Sequence, residues 1–253
     1  MIDMHSHILY NVDDGSQSLN ETMSMLMAAV DEGITEISAT SHSFHPQFDV
    51  KRSEIDRQVL LLNEELTNRQ IGLTIHRGQE IRLIEDLLAK LQNNEAITLA
   101  NSKYLLLELP SNTVPPYTKH IILALQQVGI IPIIAHAERN LAIAERPSKL
   151  EELVRNGAMA QVTAGSLAGH FGKETQRLSV DLVKANLIHN YGSDVHNLRN
   201  CPFLFSAGLM YLEKHKLLDA VDILLENNAR IIENKNFVVY EPEPIEKKWW
   251  KVF

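Results

Sequence analysis

The amino-acid sequence predicts an α/β fold, specifically a distorted (β/α)7 TIM-like barrel. The first observation behind this prediction is an alternation of short apolar runs of the β type with stretches that carry apolar residues at helical spacing, one pair in roughly 30 residues. The second observation is that acidic or imidazole side chains stand at or just past the ends of these apolar runs. In a closed barrel the carboxyl ends of the strands meet at one mouth, whereas an open sheet would spread them along a line.

The predicted strands are short and apolar, and the helices between them have apolar residues three or four positions apart. The strands are Met1–Ile8, Glu36–Thr40, Leu73–Gly78, Tyr104–Leu109, Ile131–His136, Met159–Thr163 and Leu187–Gly192. The helices are Asn20–Glu32, Ser53–Arg69, Arg82–Leu91, Thr118–Val128, Ser148–Asn156 and Lys173–Ala185. Glycines at 33, 129 and 157 suit left-handed C-caps. We expect a single barrel over residues 1–240 and a tail over 241–253.

Composition limits the class of protein. The chain has 253 residues, 45% hydrophobic and 22% charged, which is typical of a globular domain. A net charge of −8 argues against a nucleic-acid partner, because binding to a duplex needs clustered Lys and Arg. Apolar runs are too short to span a bilayer, and the start Met-Ile-Asp-Met-His does not resemble a signal peptide. The sequence therefore predicts a cytoplasmic protein.

The chain contains a single cysteine, Cys201. A lone cysteine forms no internal disulfide, which suits a reducing compartment. A cysteine-dependent phosphatase needs an arginine six positions after its nucleophile to hold the phosphate, and here that position is Ala207. Thiol-based phosphatase chemistry is therefore disfavoured.

The first strand carries the motif His5-Ser6-His7. Alternate side chains of a strand share a face, so the two imidazoles point the same way, about 6.6 Å apart along the strand, and can meet on one metal ion. Asp3 lies on the same face and is placed to orient a ligand. Taken alone, the pair also fits two hydrogen-bonded core histidines.

Further acidic and imidazole residues follow the other strands. Glu108 ends an apolar run, as does His136, and an unpaired polar group is costly to bury there. A buried hydrogen-bond network is one explanation, and a metal centre is the one we favour. Nitrogen and oxygen ligands without thiolate suit Mn, Fe or Zn better than Ca. The candidate ligands are His5, His7, Asp14, His42, Glu80, Glu108, His136, Asp194 and His196.

Several motifs together resemble those of a known family. In order they are His-x-His, Asp-Asp-Gly, Ser-His, Gly-Gln-Glu-Ile-Arg, Ile-Ala-His-Ala-Glu-Arg-Asn, Gln-Val-Thr-Ala-Gly-Ser-Leu-Ala-Gly and Gly-Ser-Asp-Val-His-Asn. They are similar to the polymerase-and-histidinol-phosphatase (PHP) superfamily. Within it, the chain from Met1 to about Tyr240 resembles the bacterial metal-dependent protein tyrosine phosphatases of capsule and exopolysaccharide operons, the CpsB/CapC/YwqE group.

The resemblance implies a PHP fold with three metal ions, usually manganese. It assigns His5, His7, Glu80 and Asp194 to the first ion. Glu80 as a bridge, with Glu108 and His136, would hold the second, and Asp14, His42 and His196 the third. It also implies hydrolysis by metal-activated hydroxide without a phosphoenzyme. The substrate would be the tyrosine-rich tail of a cognate bacterial tyrosine kinase, and capsule or exopolysaccharide synthesis the regulated process. An assembly of several copies is also implied.

Two arginines are candidates for holding the substrate phosphate. Arg139 follows His136 closely and has the planar guanidinium that suits a phosphate, although an ion pair with Glu138 is the alternative. Related sequences carry an arginine seven residues after the metal-binding aspartate, where this chain has Cys201. Arg199 is placed to substitute from the same loop.

Other interpretations remain open at this stage. Histidinol-phosphate hydrolysis, a nuclease and an amidohydrolase are alternatives, the last disfavoured because Glu108 stands where those enzymes commonly have a bridging lysine. A kinase-binding module without turnover is another. Among the remaining histidines, His45 and His170 are expected nearest the mouth. The basic and aromatic tail at 247–253 suggests contact with a membrane surface or a subunit.

Overall fold

The computed structural model describes residues 1–245. Strands within this range are β1 (Ile2–Ser6), β2 (Glu36–Ala39), β3 (His42–Ser43), β4 (Thr74–Arg77), β5 (Glu80–Arg82), β6 (Tyr104–Glu108), β7 (Ile131–Ile134), β8 (Met159–Thr163) and β9 (Asn190–Gly192). Helices are α1 (Leu19–Asp31), α2 (Arg52–Asn68), α3 (Leu87–Gln92), α4 (Thr118–Gln127), α5 (Leu141–Glu145), α6 (Ser148–Arg155), α7 (Ala164–Ala168), α8 (Lys173–Lys184), α9 (Phe205–Lys214) and α10 (Leu218–Ile232).

The strands form a parallel sheet that curls into a barrel with seven positions. One sheet has the order β1-β2-β4 and the other the order β3-β5-β6-β7-β8-β9. β3 continues the path of β2, and β5 that of β4, so each pair occupies one position in the barrel. The chain after β9 returns to β1 through a parallel bridge between Ser6 and Val195. His7 N also donates to Val195 O at 2.9 Å. The predicted distorted (β/α)7 barrel is confirmed.

Successive side chains of β6 point alternately to the outside and to the inside of the barrel, and this separates the apolar core from the polar mouth. Leu105 and Leu107 belong to the large apolar cluster beneath the helices. Tyr104 and Leu106 point the other way, into a smaller cluster inside the barrel with Ile133. Because side chains two residues apart share a face, Glu108 points into the barrel as well, at its open end. The strand thus fills the barrel below and supplies a carboxylate at the mouth.

Some predicted elements differ from the structure. The predicted helix Arg82–Leu91 starts too early, because residues 80–82 form β5 and pair with Leu106–Glu108. Helix α3 occupies only Leu87–Gln92. The helices at Leu141–Glu145, Ala164–Ala168, Phe205–Lys214 and Leu218–Ile232 were not predicted.

Two expectations about membranes have different outcomes. Across residues 1–245, each helix is either too short or too polar to cross a bilayer. The tail at 247–253 lies outside the described residues, so its contact with a membrane or a subunit stays a prediction.

A buried histidine between β8 and β9 makes the stability of this fold depend on pH. His189 is 4% exposed, and its Nδ1 accepts a hydrogen bond from Ala160 N at 3.1 Å. Burial lowers the pKa of His189 from 6.5 to about 4. The folded chain therefore binds fewer protons than the unfolded chain between these values. Stability from this group is present above pH 6.5 and is lost as pH falls towards 4.

We expect His189→Asn, which keeps an acceptor for Ala160 N, to reduce the loss of unfolding free energy between pH 7 and pH 4 by about 3 kcal/mol. Urea unfolding of the metal-free chain at both pH values measures this. His215→Gln, at the exposed end of α9, serves as the control and should keep the wild-type pH dependence. An unchanged pH dependence in His189→Asn would contradict the prediction.

Candidate metal centre

The barrel mouth brings together all nine side chains that the sequence proposed as metal ligands. They come from the ends of β1 and β6, from β3 and β5, and from the loops that follow β1, β7 and β9. A cavity of about 260 Å³ opens onto this group. Six of the nine line it: His42, Glu80, Glu108, His136, Asp194 and His196.

The innermost group consists of His5, His7, Glu80 and Asp194, all four buried. His5 Nε2 lies 3.2 Å from Glu80 Oε2 and 3.1 Å from Asp194 Oδ1. His7 Nε2 lies 3.2 Å and 3.4 Å from the same two oxygens. Two imidazole nitrogens and two carboxylate oxygens therefore face one small volume. This is the residue set that the resemblance assigned to the first metal ion.

Two further groups share residues with the first. One comprises His7, Asp14, His42 and His196, and the other His42, Glu80 and Glu108. Within each group the ligand atoms lie within 4.8 Å of one another. His42 belongs to both, with Nδ1 at 3.2 Å from Glu80 Oε2 and 3.8 Å from Glu108 Oε2.

His136 stands slightly apart from these three groups. Its Nε2 lies 2.7 Å from Glu80 Oε1, the oxygen that does not face His5 and His7. It therefore contacts the carboxylate expected to bridge two ions. Which ligand serves which ion remains a prediction.

The backbone is unusual at two of these positions. His136 has φ 32° and Asp194 has φ 57°, both in the left-handed region that residues with a side chain seldom adopt. Such conformations persist where surrounding structure holds them, and they are frequent at functional sites. Gly15 is required for a different reason, because a Cβ there would lie 2.1 Å from His7 O.

Burial and clustered charge shift the pKa values of the group strongly. Burial lowers the pKa of His5, but Asp194 and Glu80 outweigh it and raise that pKa to about 10. Burial would raise the pKa values of Glu80 and Asp194, but both lie well below the usual range of a carboxyl group. His5 and His136 lower the pKa of Glu80, and Arg139 and His5 lower that of Asp194.

Glu108 and His42 behave differently. Burial, and then the neighbouring Glu80 carboxylate, raise the pKa of Glu108 to about 8. Burial lowers the pKa of His42 to about 4, so its imidazole is neutral at pH 7. A neutral imidazole is the form that binds a metal ion.

Two buried residues, Gln161 and Asp13, hold the first two histidines in place. Both lie in motifs quoted from the sequence, but neither was given a role there. Gln161 Oε1 lies 2.6 Å from His5 Nδ1, and Asp13 Oδ2 lies 3.0 Å from His7 Nδ1. Each contact is made to Nδ1, so the Nε2 atom of each histidine faces the carboxylates of Glu80 and Asp194. Asp3, expected in this role, instead accepts hydrogen bonds from His5 N and from Ser193.

We expect Asp13→Asn to weaken metal binding by about 10- to 100-fold, because the amide is a poorer partner for His7 Nδ1 than the carboxylate is. Titration of the metal-free chain with Mn²⁺ in a calorimeter measures the affinity. Asp86→Asn, which changes an exposed carboxylate that pairs with Lys90 at the start of α3, is the matched control. Equal affinity in the two variants would show that Asp13 does not orient His7.

The two candidate arginines differ in position. Arg139 lines the cavity, and its guanidinium contacts Asp194 Oδ2 and lies 5.0 Å from the ring centre of Phe171. Glu138, the alternative partner of Arg139, instead accepts hydrogen bonds from Thr163. Arg199 is exposed and is not among the residues that line the cavity. Both phosphate-binding roles stay predictions.

Cys201 and the two other histidines expected near the mouth, His45 and His170, complete its surroundings. Cys201 Sγ donates to Asp194 O at 3.2 Å. His45 stacks on His42, with ring centres 4.9 Å apart. His170 Nε2 lies 2.8 Å from Asn200 O and joins the loop after α7 to the loop after β9.

Comparison with known proteins agrees with the resemblance inferred from the motifs. A model of the family described as "Capsular polysaccharide synthesis, CpsB/CapC" matches residues 1–233. The chain belongs to this family. It is 36% identical to the putative tyrosine-protein phosphatase CapC of Staphylococcus aureus, over 99% of both chains. It is 38% identical to the tyrosine-protein phosphatase YwqE of Bacillus subtilis, over 98% of both chains.

A solved structure shows the same fold for this family. It comes from crystal structures of YwqE from Bacillus subtilis and CpsB from Streptococcus pneumoniae, described as unique metal-dependent tyrosine phosphatases. It matches with a TM-score of 0.95 at 38% identity and covers 98% of this chain and 100% of that one. The predicted family, fold and enzyme class, a protein tyrosine phosphatase, are confirmed.

Proposed function

We propose that this chain is a manganese-dependent protein tyrosine phosphatase that acts on the tyrosine-rich tail of a cognate bacterial kinase and so regulates capsule or exopolysaccharide synthesis. The observation that carries the proposal is the cluster at the barrel mouth, where three overlapping groups of imidazole and carboxylate ligands stand beside Arg139. The tyrosine phosphatases named among its relatives supply the substrate class.

The side chains at the mouth fit metal ions. Four buried atoms there have no hydrogen-bond partner within the described residues: His7 Nε2, His42 Nδ1, Glu108 Oε2 and Asp194 Oδ1. Polar atoms buried without a partner are costly. His7 Nε2 lies 3.4 Å from Asp194 Oδ1 and His42 Nδ1 lies 3.8 Å from Glu108 Oε2, so a cation bound between the members of each pair would satisfy both atoms. The donors are nitrogen and oxygen throughout, which suits Mn²⁺ and also admits Fe or Zn.

The residues around the mouth have separate roles in the proposed hydrolysis. When bound, the metal ions supply positive charge that polarises the phosphoryl oxygens and makes water acidic enough to act as the nucleophile at neutral pH. Gln161 and Asp13 fix the orientation of His5 and His7. Arg139 offers planar N–H donors at the cavity wall, where they suit the remaining phosphoryl oxygens. Cys201 takes no covalent part in this scheme.

Chelation tests the metal mechanism directly. Removing metal with EDTA is expected to abolish hydrolysis of p-nitrophenyl phosphate, because the polarising charge and the activated water are lost together. Readdition of Mn²⁺ should restore the rate better than Fe²⁺ or Zn²⁺ does. Alkylation of Cys201 with iodoacetamide is the comparison, and it should leave the rate within about threefold of the untreated enzyme. Loss of activity on alkylation with retention under EDTA would overturn the mechanism.

Substrate class is tested separately. A phosphotyrosine peptide copied from the tyrosine-rich tail of such a kinase should be hydrolysed with a higher kcat/KM than histidinol phosphate or an oligonucleotide. A preference for histidinol phosphate or for the oligonucleotide would favour the other PHP activities. Binding of the peptide without turnover, in the presence of Mn²⁺, would favour a non-catalytic kinase-binding module. A cytoplasmic location and assembly into an oligomer remain part of the proposal.

A further inference from the structure

An aromatic surface stands at the outer edge of the metal centre. It consists of His45 and Phe48, in the loop between β3 and α2, and we call it the aromatic shelf. The Phe48 ring lies 5.8 Å from the His45 ring and 5.9 Å from the His42 ring, at interplanar angles of 19° and 11°. The His45 ring is tilted 27° from that of His42. Three nearly parallel rings, with centres 4.9 to 5.9 Å apart, therefore stand together, and one of them belongs to a proposed metal ligand.

Hydrogen bonds within the loop hold the shelf in this position. Phe48 N donates to His45 O at 3.2 Å, and Gln47 N donates to His45 Nδ1 at 3.2 Å. Asp49 Oδ1 accepts from Phe44 N at 3.0 Å, and Val50 N donates to His42 O at 2.9 Å. The loop is thus closed on itself and tied back to β3. The loop backbone and the His45 ring are therefore held in place, and the Phe48 ring stacks on that ring.

Neither ring of the shelf has a role in the metal groups. His45 and Phe48 are absent from the three ligand sets, and both side chains are only partly buried. An aromatic ring that remains half exposed beside a charged site leaves apolar area open to a ligand. The occupant that fits is another planar ring attached to an anionic group.

We infer that the aromatic shelf binds the phenyl ring of the substrate while the phosphate is held at the mouth. This inference rests on the proposed function and deepens it. In phosphotyrosine the ring is joined to the phosphate through a single oxygen, so it leaves the cavity next to His42, where the shelf begins. Phosphoserine offers no ring at this distance. The shelf therefore selects aryl phosphates over alkyl phosphates.

Phe171, on the Arg139 side of the mouth, is the competing candidate. It is 38% exposed and comes from the loop between α7 and α8. The Arg139 guanidinium lies over its ring at 5.0 Å. One face of Phe171 is thereby covered, and the cation on it is the group expected to hold phosphate. His45 and Phe48 stack on each other and on His42, but no cation of the described residues lies over either ring, so the shelf is the better site for the substrate ring.

Two phosphonates that are not hydrolysed test this inference. Phenylphosphonate and methylphosphonate carry the same anionic group, and only the first carries a ring. Their Kd values for the Mn²⁺-loaded chain are measured by calorimetry, which does not depend on turnover. An aromatic pair contributes a factor of about 2 to 12 in affinity. We expect Phe48→Ala to weaken phenylphosphonate binding by this factor and to leave methylphosphonate unchanged, with Phe48→Leu intermediate.

Control variants and metal content make the outcomes distinct. Phe171→Ala should preserve the ratio of the two Kd values, and manganese content should match the wild type in all three variants. The inference is overturned if Phe48→Ala weakens both phosphonates equally, weakens neither, or if Phe171→Ala is the variant that loses the preference for the ring. If instead Phe48→Ala loses the preference for phenylphosphonate as expected, but the wild type does not hydrolyse p-nitrophenyl phosphate with Mn²⁺, the proposed function is overturned and the inference about the shelf is retained.

Discussion

Replacing Glu80 with glutamine is expected to lower hydrolysis of p-nitrophenyl phosphate by about 10³-fold or more, and to reduce the number of manganese ions bound per chain. Oε2 of Glu80 lies 3.2 Å from a nitrogen of each of His5, His7 and His42. Its other oxygen lies 2.7 Å from His136 Nε2. Glutamine keeps the shape of the side chain but removes the charge that these contacts share.

The matched control for this variant is Glu36→Gln. Glu36 also pairs a carboxylate with an imidazole, His76, at 2.7 Å, but at the start of β2 and so at the opposite end of the barrel. It should retain wild-type activity and metal content. Kinetics and elemental analysis are measured on both variants. Normal activity with wild-type metal content in Glu80→Gln would show that Glu80 is not the bridge. Loss of metal with activity within tenfold of wild type would show that hydrolysis does not need the ion that Glu80 holds.

Much of the mouth was predictable because parallel strands all end on the same side of a barrel. Glu108 and His136 each follow an apolar run, so the position of each along the chain already places it at the mouth. The His5-Ser6-His7 motif needs only the alternation of a strand to put two imidazoles on one face. For these residues the local pattern and the fold specify the same location.

The pairing of residues within the mouth was not predictable in the same way. His42 faces Glu80 and Glu108 as well as Asp14, and this depends on side-chain rotation and on the short strand β3. Gln161 supports His5 from 156 residues away. Two signals were available: Gln161 opens one of the motifs quoted for the family resemblance, and it lies in β8, where a polar side chain points inward among apolar neighbours. A glutamine in a strand has too many ordinary explanations for either signal to be used.

Helices near the carboxyl end were missed for a different reason. The prediction depended on alternation between strand and helix, and after residue 192 that alternation stops. Helices α9 and α10 follow one another without a strand between them, and α10 packs beside β1 and β9. A pattern based on repeated β-α units has no place for two successive helices, although each has apolar residues at helical spacing.

Arg139 provides the second large effect that we expect. Replacing it with methionine should lower kcat/KM for p-nitrophenyl phosphate by about 10²- to 10³-fold, because a donor aimed at developing charge contributes on this scale. Arg139→Lys keeps the charge but not the planar pair of N–H donors, so it should recover only part of the loss. Arg155→Met, which removes an exposed arginine paired with Glu151 on α6, is the control.

Metal content separates the two roles that the position of Arg139 allows. Its guanidinium contacts Asp194 Oδ2, and Asp194 belongs to the innermost ligand group. If Arg139 holds the phosphate, Arg139→Met should retain wild-type manganese content while its affinity for methylphosphonate falls. If it only positions Asp194, manganese affinity should fall and phosphonate affinity at saturating Mn²⁺ should not. The second result, or wild-type kcat/KM in Arg139→Met, would remove Arg139 from the phosphate site.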